Sequence, residues 1–109
     1  MTTIAKVLIP GTDVPTVQTT LYTASGLRAV IDKCTAMNTG ATAATLTVNL
    51  IESLGSVAPA SRIVTRTIAA GETYTFPELV GHLISVDGYL SAIASAAGVS
   101  LRMSGREIS

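Results

Sequence analysis

Between Ala29 and Ser53, apolar Leu46, Val48 and Leu50 alternate with polar Thr45, Thr47 and Asn49. Period two of this kind marks a strand with one buried and one hydroxyl-rich face. A second extended run begins at Ala29, and the two meet at Asn38-Thr39-Gly40, residue types that tolerate positive φ. The stretch therefore reads as a β-hairpin with a bulge at the glycine.

The same alternation recurs along the chain. Val17 to Ala24 alternates β-branched and small residues, and the Ser25-Gly26 turn leads into the hairpin, so three strands are expected as a local meander. Arg62 to Ile68 sets Arg62, Val64, Arg66 and Ile68 against Ile63, Thr65 and Thr67, with the arginines marking a solvated or interface face. Thr73 to Phe76 is extended. Tyr89 to Ser95 and the run Val99, Leu101, Met103 are expected to close a second hairpin through Ala97-Gly98. The small-residue stretch 54–60, closed by Pro59 and Ala60, is the expected place to cross between sheets.

Two stretches break the pattern. Ile4 to Ile9 is closed by Pro10-Gly11, with Pro15 soon after, which forbids a helix and disfavours a central strand; residues 1–15 read as an N-terminal arm or edge strand. From Phe76 to Ile84, Pro77 suits a first helical position and Leu79, Val80, Leu83 and Ile84 share one helical face, with Gly81 keeping any helix short. The count is seven to eight strands and one short helical turn near 77–84. It predicts an all-β antiparallel β-sandwich, Ig-like or jelly-roll-like, with 16–109 as a single domain.

Composition narrows the function classes. At 109 residues there is room for one core, large enough to fold without a metal or disulfide staple. Seven Lys+Arg balance seven Asp+Glu, so the field expected of a nucleic-acid binder is missing. Only 13% of residues are charged while 48% are hydrophobic, against about 25% charged in a typical soluble domain. No apolar run approaches the roughly 18 residues of a membrane helix, so the excess apolar character belongs to core and subunit interface. The N-terminal stretch does not read as a secretory-type leader, so synthesis in a cytoplasm is expected. Cys34, the single cysteine, reads as a small buried hydrophobe.

Reaction chemistry is poorly supplied. There is no phosphate-binding Gly-rich loop, dinucleotide fingerprint or Gly-x-Ser-x-Gly elbow. His82 is the one histidine; folding would have to bring it to Glu78 and Asp87 for a metal site, and a structural role is the simpler reading. No catalytic residue, metal, cofactor or small-molecule substrate is assigned, and the protein is read as not an enzyme. Tyr22, Tyr74, Tyr89 and Phe76 are core or interface anchors more readily than a sugar-stacking face.

Several phrases in order carry a resemblance: Tyr22-Thr-x-x-Gly26, the strand from Ala29 to Thr35, Asn38-Thr-Gly-Ala, Ala69-Ala-Gly-Glu-Thr-Tyr, Pro77-Glu-Leu-Val-Gly-His, and Leu101-Arg-Met-Ser-Gly-Arg-Glu-Ile. Together they resemble the small single-domain β-sandwich virion proteins of tailed bacteriophages, capsid decoration or cement subunits and related neck and tail components. The chain departs from that pattern at Asp87-Gly88, where Gly-Asp is the commoner order. The resemblance implies a non-enzymatic structural protein located in the virion. Its expected assembly is a homo-oligomer, with a trimer favoured, docked on major capsid or other virion proteins. Edge strands and the arm are then the expected contacts, through Ile4, Val7 and Ile9. Tyr22, Tyr74, Arg62 and Arg66 complete the candidate set.

Overall fold

The structure is a computed structural model that describes residues 2–53 and 55–109. Among them are nine strands: β1 (Thr3–Asp13), β2 (Thr19–Thr23), β3 (Arg28–Asn38), β4 (Ala44–Ile51), β5 (Arg62–Ile68), β6 (Thr73–Thr75), β7 (Leu83–Ile84), β8 (Tyr89–Ala94) and β9 (Val99–Ile108). They form two antiparallel sheets. The first runs β1-β9-β3, with β6 and β7 both bordering β3; the second runs β2-β8-β4-β5. Successive strands mostly switch sheets, and the chain is a β-sandwich with jelly-roll strand order.

This order overturns the hairpins expected from local signals. β3 and β4, either side of Asn38-Thr39-Gly40, lie in different sheets, as do β2 and β3, and β8 and β9. The cause at the first turn is Asn38, which is fully buried. Its side-chain amide donates to the carbonyls of Thr42 and Ile68, both at 2.9 Å, and its Oδ1 accepts from Gly40 N–H at 2.9 Å. Those bonds steer the chain across the sandwich instead of back along β3. The second turn packs on the first: Thr39 N–H donates to Gly98 O, and Gly98 has φ of +107° with Gly40 N only 2.9 Å from where a Cβ would stand. A side chain there is excluded both by conformation and by space.

The stretch 54–60 behaves in the opposite way. β4 and β5, on its two sides, pair directly with each other, so the chain returns to its own sheet there; Leu54 itself lies outside the described residues. The expected helical turn near 77–84 is a single 3-10 turn, Pro77–Leu79. Beyond it, Gly81 N–H donates to Ile31 O and Ile31 N–H donates to His82 O, so the exposed edge of β3 captures the chain and Leu83–Ile84 becomes a strand. The supposed apolar face splits accordingly: Leu79 and Ile84 are buried, Val80 and Leu83 exposed.

The core lies between the sheets. Ile31, Cys34 and Ala36 of β3, with Val99, Leu101 and Met103 of neighbouring β9, face Leu46 and Val48 of β4 and Leu90 of β8. Burial pushes the Cys34 thiol up to about 12, so it stays protonated and inert. In β4 the alternation shifts after Val48, at an irregularity in its pairing with β5: Asn49 is buried and Leu50 only half-buried, the reverse of the expected phase. Gly105 in β9 is required by proximity, since an added Cβ would stand 2.1 Å from Val30 O.

Candidate interaction edges

An open sandwich has two sides where the sheets are not joined, and here each is closed by side chains. On one side β1 and β2 are the outer strands of their sheets. The inward phase of β9 continues from Met103 through Gly105 to Glu107, placing a carboxylate between the sheets. Tyr22 of β2 donates its hydroxyl to Glu107 Oε2, and Lys6 of β1 reaches Oε1 at 3.1 Å. The Tyr22 hydrogen bond and the Lys6 charge hold Glu107 below the usual carboxylate range, against an opposing effect of burial. Tyr22 moves upward, from burial first and then from the neighbouring carboxylate.

On the other side β5 faces β6 and the 3-10 turn. Arg66 of β5 lies 3.7 Å from the centroid of the Tyr74 ring of β6, and Tyr74 meets buried Phe76 edge-on at 4.9 Å. The guanidinium thus bridges the sheets by cation–π contact. Its Nε is shielded from water without a hydrogen-bond partner.

The candidate contact residues separate in this setting. Ile4 and Val7 are 56% and 52% exposed. Ile9 is buried, because irregular pairing between Val7 and Ile9 turns both Leu8 and Ile9 inward; it is a core residue and offers nothing to a neighbour. Tyr22 is likewise buried, its ring in the core and its hydroxyl on Glu107. Arg62 is exposed, whereas Arg66 and Tyr74 are half-buried against each other, so the two arginines do not share a solvated face.

Sequence reasoning missed Val80, Leu83 and Val86, which are 50%, 52% and 47% exposed along the β7 border. It also missed Glu107, although the inward alternation of β9 carried to its end places a carboxylate where an apolar residue is expected. Reactive groups are not drawn together. Asp87 takes φ of 61° and accepts a hydrogen bond from Gly26 N–H at 2.8 Å, which explains the Asp-Gly order at that turn. Among the described residues no group of three or more His, Cys, Asp or Glu side chains is placed to hold a metal ion. A depression of about 240 Å³ on the outer face of the second sheet, lined by Thr16, Thr45, Thr47, Ile93, Ala94 and Ser95, is open and smaller than typical ligand sites of roughly 300 Å³ and above. No helix among the described residues is long and apolar enough to cross a membrane.

No protein-family model matches the chain, and no curated protein matches it in sequence. Among solved structures, a subunit of Bacillus endospore appendages, disulfide-linked pili, is similar over 99% of this chain and 88% of its own, with a TM-score of 0.58 at 12% identity. A chain of infectious bursal disease virus, Gx strain, gives a TM-score of 0.45 at 17% identity over 98% of this chain and 32% of its own. A viral particle of the same virus gives 0.44 at 14% over 98% and 31%. The likeness to the appendage subunit is one of fold, over nearly the full length of both chains. None of these three is a tailed-phage protein.

Proposed function

We propose that this chain is a non-enzymatic virion structural protein of a tailed bacteriophage, a head decoration or cement subunit that clamps neighbouring capsid subunits. One observation carries the reading: the ionisable groups at the two sheet margins are engaged in holding the fold while apolar side chains stand bare along the sheet borders. Lys6, Tyr22, Glu107, Arg66 and Asp87 all have intramolecular partners, and Cys34 is buried. Ile4, Val7, Val80, Leu83 and Val86 are about half exposed. Bare apolar borders on a small neutral domain suit a protein that works by contact with neighbours.

The mechanism is clamping. Copies associate, as a trimer in the simplest arrangement, and dock across joints between major capsid subunits, where individually modest contacts add through multivalency. The protein is made in the host cytoplasm and resides in the virion. A place in the neck, tail, baseplate or fibre would use the same surfaces. The jelly-roll fold, shared with a pilus subunit, supports an assembling role. That pilus is disulfide-linked; the single cysteine of this sequence is fully buried and offers no exposed thiol for such a link. A glycan-binding face is disfavoured, since Tyr22 and Tyr74 are engaged as described and Tyr89 donates to Gly55 O at 3.0 Å.

Mass spectrometry of purified particles tests the role. The chain is expected in intact virions, at high copy number for a head protein and low copy number for a tail component, and its deletion should leave particles more easily disrupted by heat. Virions that contain none of it would remove the proposal.

A further inference from the structure

We infer that copies of this chain join head to tail along the first sheet, the β1 border of one copy lying against the β6–β7 border of the next. The inference sharpens the oligomeric part of the proposed function and rests on that reading only there.

The β6–β7 border is one interrupted edge strand. Thr75 sits opposite Thr35, Phe76 N–H donates to Cys34 O, Gly81 N–H to Ile31 O, and Leu83 sits opposite Val30. Residues 73–84 therefore track β3 and leave their outer side free, as β1 does at the far edge. Each border also carries bare apolar side chains, Ile4 and Val7 on β1 against Val80, Leu83 and Val86 on the other. Both sets lie at the same end of the sheet, because Ala5, Arg106, Val30 and Leu83 form one row across it. A neighbour placed beside the sheet brings them together without sliding along the strands.

Strand direction agrees. β1 is antiparallel to β9, β9 to β3 and β3 to β7, so β7 runs opposite to β1. A copy in the same orientation presents its β1 antiparallel to β7, the more favourable pairing. Charge then chooses between contacts. At the apolar end Lys6, half-exposed beside Glu107, is the one charge on β1 and Glu78 the one charge between Thr73 and Ile84 on the opposite border, whereas Asp13 and Glu72 both lie at the far end of the sheet. At that end two β1 borders would bring lysines together and two β6–β7 borders would bring Glu78 carboxylates together, while the unlike pair opposes Lys6 and Glu78. Such a contact is heterologous, giving a ring if it closes and a filament if it does not. Closure after three copies gives the trimer.

The experiment is a mixing test read by mass in solution. Wild type is expected to exceed one chain in mass as concentration rises. Val7→Asp and Leu83→Asp, each altering an exposed position, should weaken association about tenfold or more, giving single-chain masses with unchanged circular dichroism. Mixed, they should form a pair of chains and stop there, since each variant keeps the border the other lacks. As a check independent of those substitutions, the double variant Val7→Cys with Leu83→Cys should give a ladder of covalent multimers under oxidation. A wild type that stays a single chain, variants that assemble like wild type, or a mixture that stays monomeric would each overturn the inference. Particle content tests the virion role and solution mass tests this joint, so each fails separately.

Discussion

Along the β1–β2 side the sheets are bridged through a carboxylate, with Tyr22 donating to Glu107 and Lys6 beside it. Along the β5–β6 side the bridge is a cation over a ring, Arg66 on Tyr74, backed by Phe76. The first depends on ionisation of one group, the second on burial of aromatic area. The two sides should therefore respond differently to pH, salt and truncation, although both do the same mechanical work of holding two sheets together at their margins.

The largest expected difference comes from the aromatic side. Phe76→Ala removes a fully buried ring beneath Tyr74 and should cost about 3–5 kcal/mol in urea unfolding. A loss below that of Glu107→Ala would reverse the order drawn between the two sides. Glu107→Ala leaves the part-buried Tyr22 hydroxyl without its acceptor, at roughly 1–3 kcal/mol. Arg66→Ala removes the cation–π contact but also an Nε that lacks a partner, so its net cost should be smaller, about 0.5–2 kcal/mol, and little changed by added salt. Lys6→Ala should be the mildest, at most about 1 kcal/mol and fading in high salt, because Lys6 is 53% exposed.

Titration sharpens the same contrast. Glu107 is depressed in the folded state relative to about 4.3 unfolded, so its contribution is whole above that value and lost as pH falls through the folded pKa. Tyr22 is raised in the folded state above about 10; its contribution is whole below that value and lost as pH rises through the folded pKa. The β1–β2 side is thus firmest between those limits. Glu107→Gln should flatten the acid limb of the stability profile, whereas Arg66→Ala should leave that limb unchanged. An acid limb indifferent to Glu107→Gln would show that the carboxylate does not govern this side.

How much of this was legible beforehand depends on the range of the signal. The inward phase Val99, Leu101, Met103 and the burial of Cys34 could be read directly, because each needs only local alternation and a size-matched apolar residue. Asn38 could not: it looked like a hairpin residue because its turn chemistry is real, and only the carbonyl of Ile68, thirty residues away, reveals that it steers a crossover. The same applies to Leu83, whose helical periodicity with Leu79 was outweighed by the unpaired edge of β3. Ile9 was misassigned to a contact surface because a pairing irregularity shifts phase by one residue, and period-two reasoning carries no record of where such a shift falls.

By itself the order of residues determined that this chain is all-β and which side chains are apolar enough to seek the interior. Only the tertiary structure decided which strands are neighbours, because alternation states that a face is buried and says nothing of the sheet that buries it. The two sheets share one core, so either partner satisfies the same pattern. Distant hydrogen bonds, close glycine contacts and the free edge of β3 chose between them, and that choice set which apolar side chains were left facing outward.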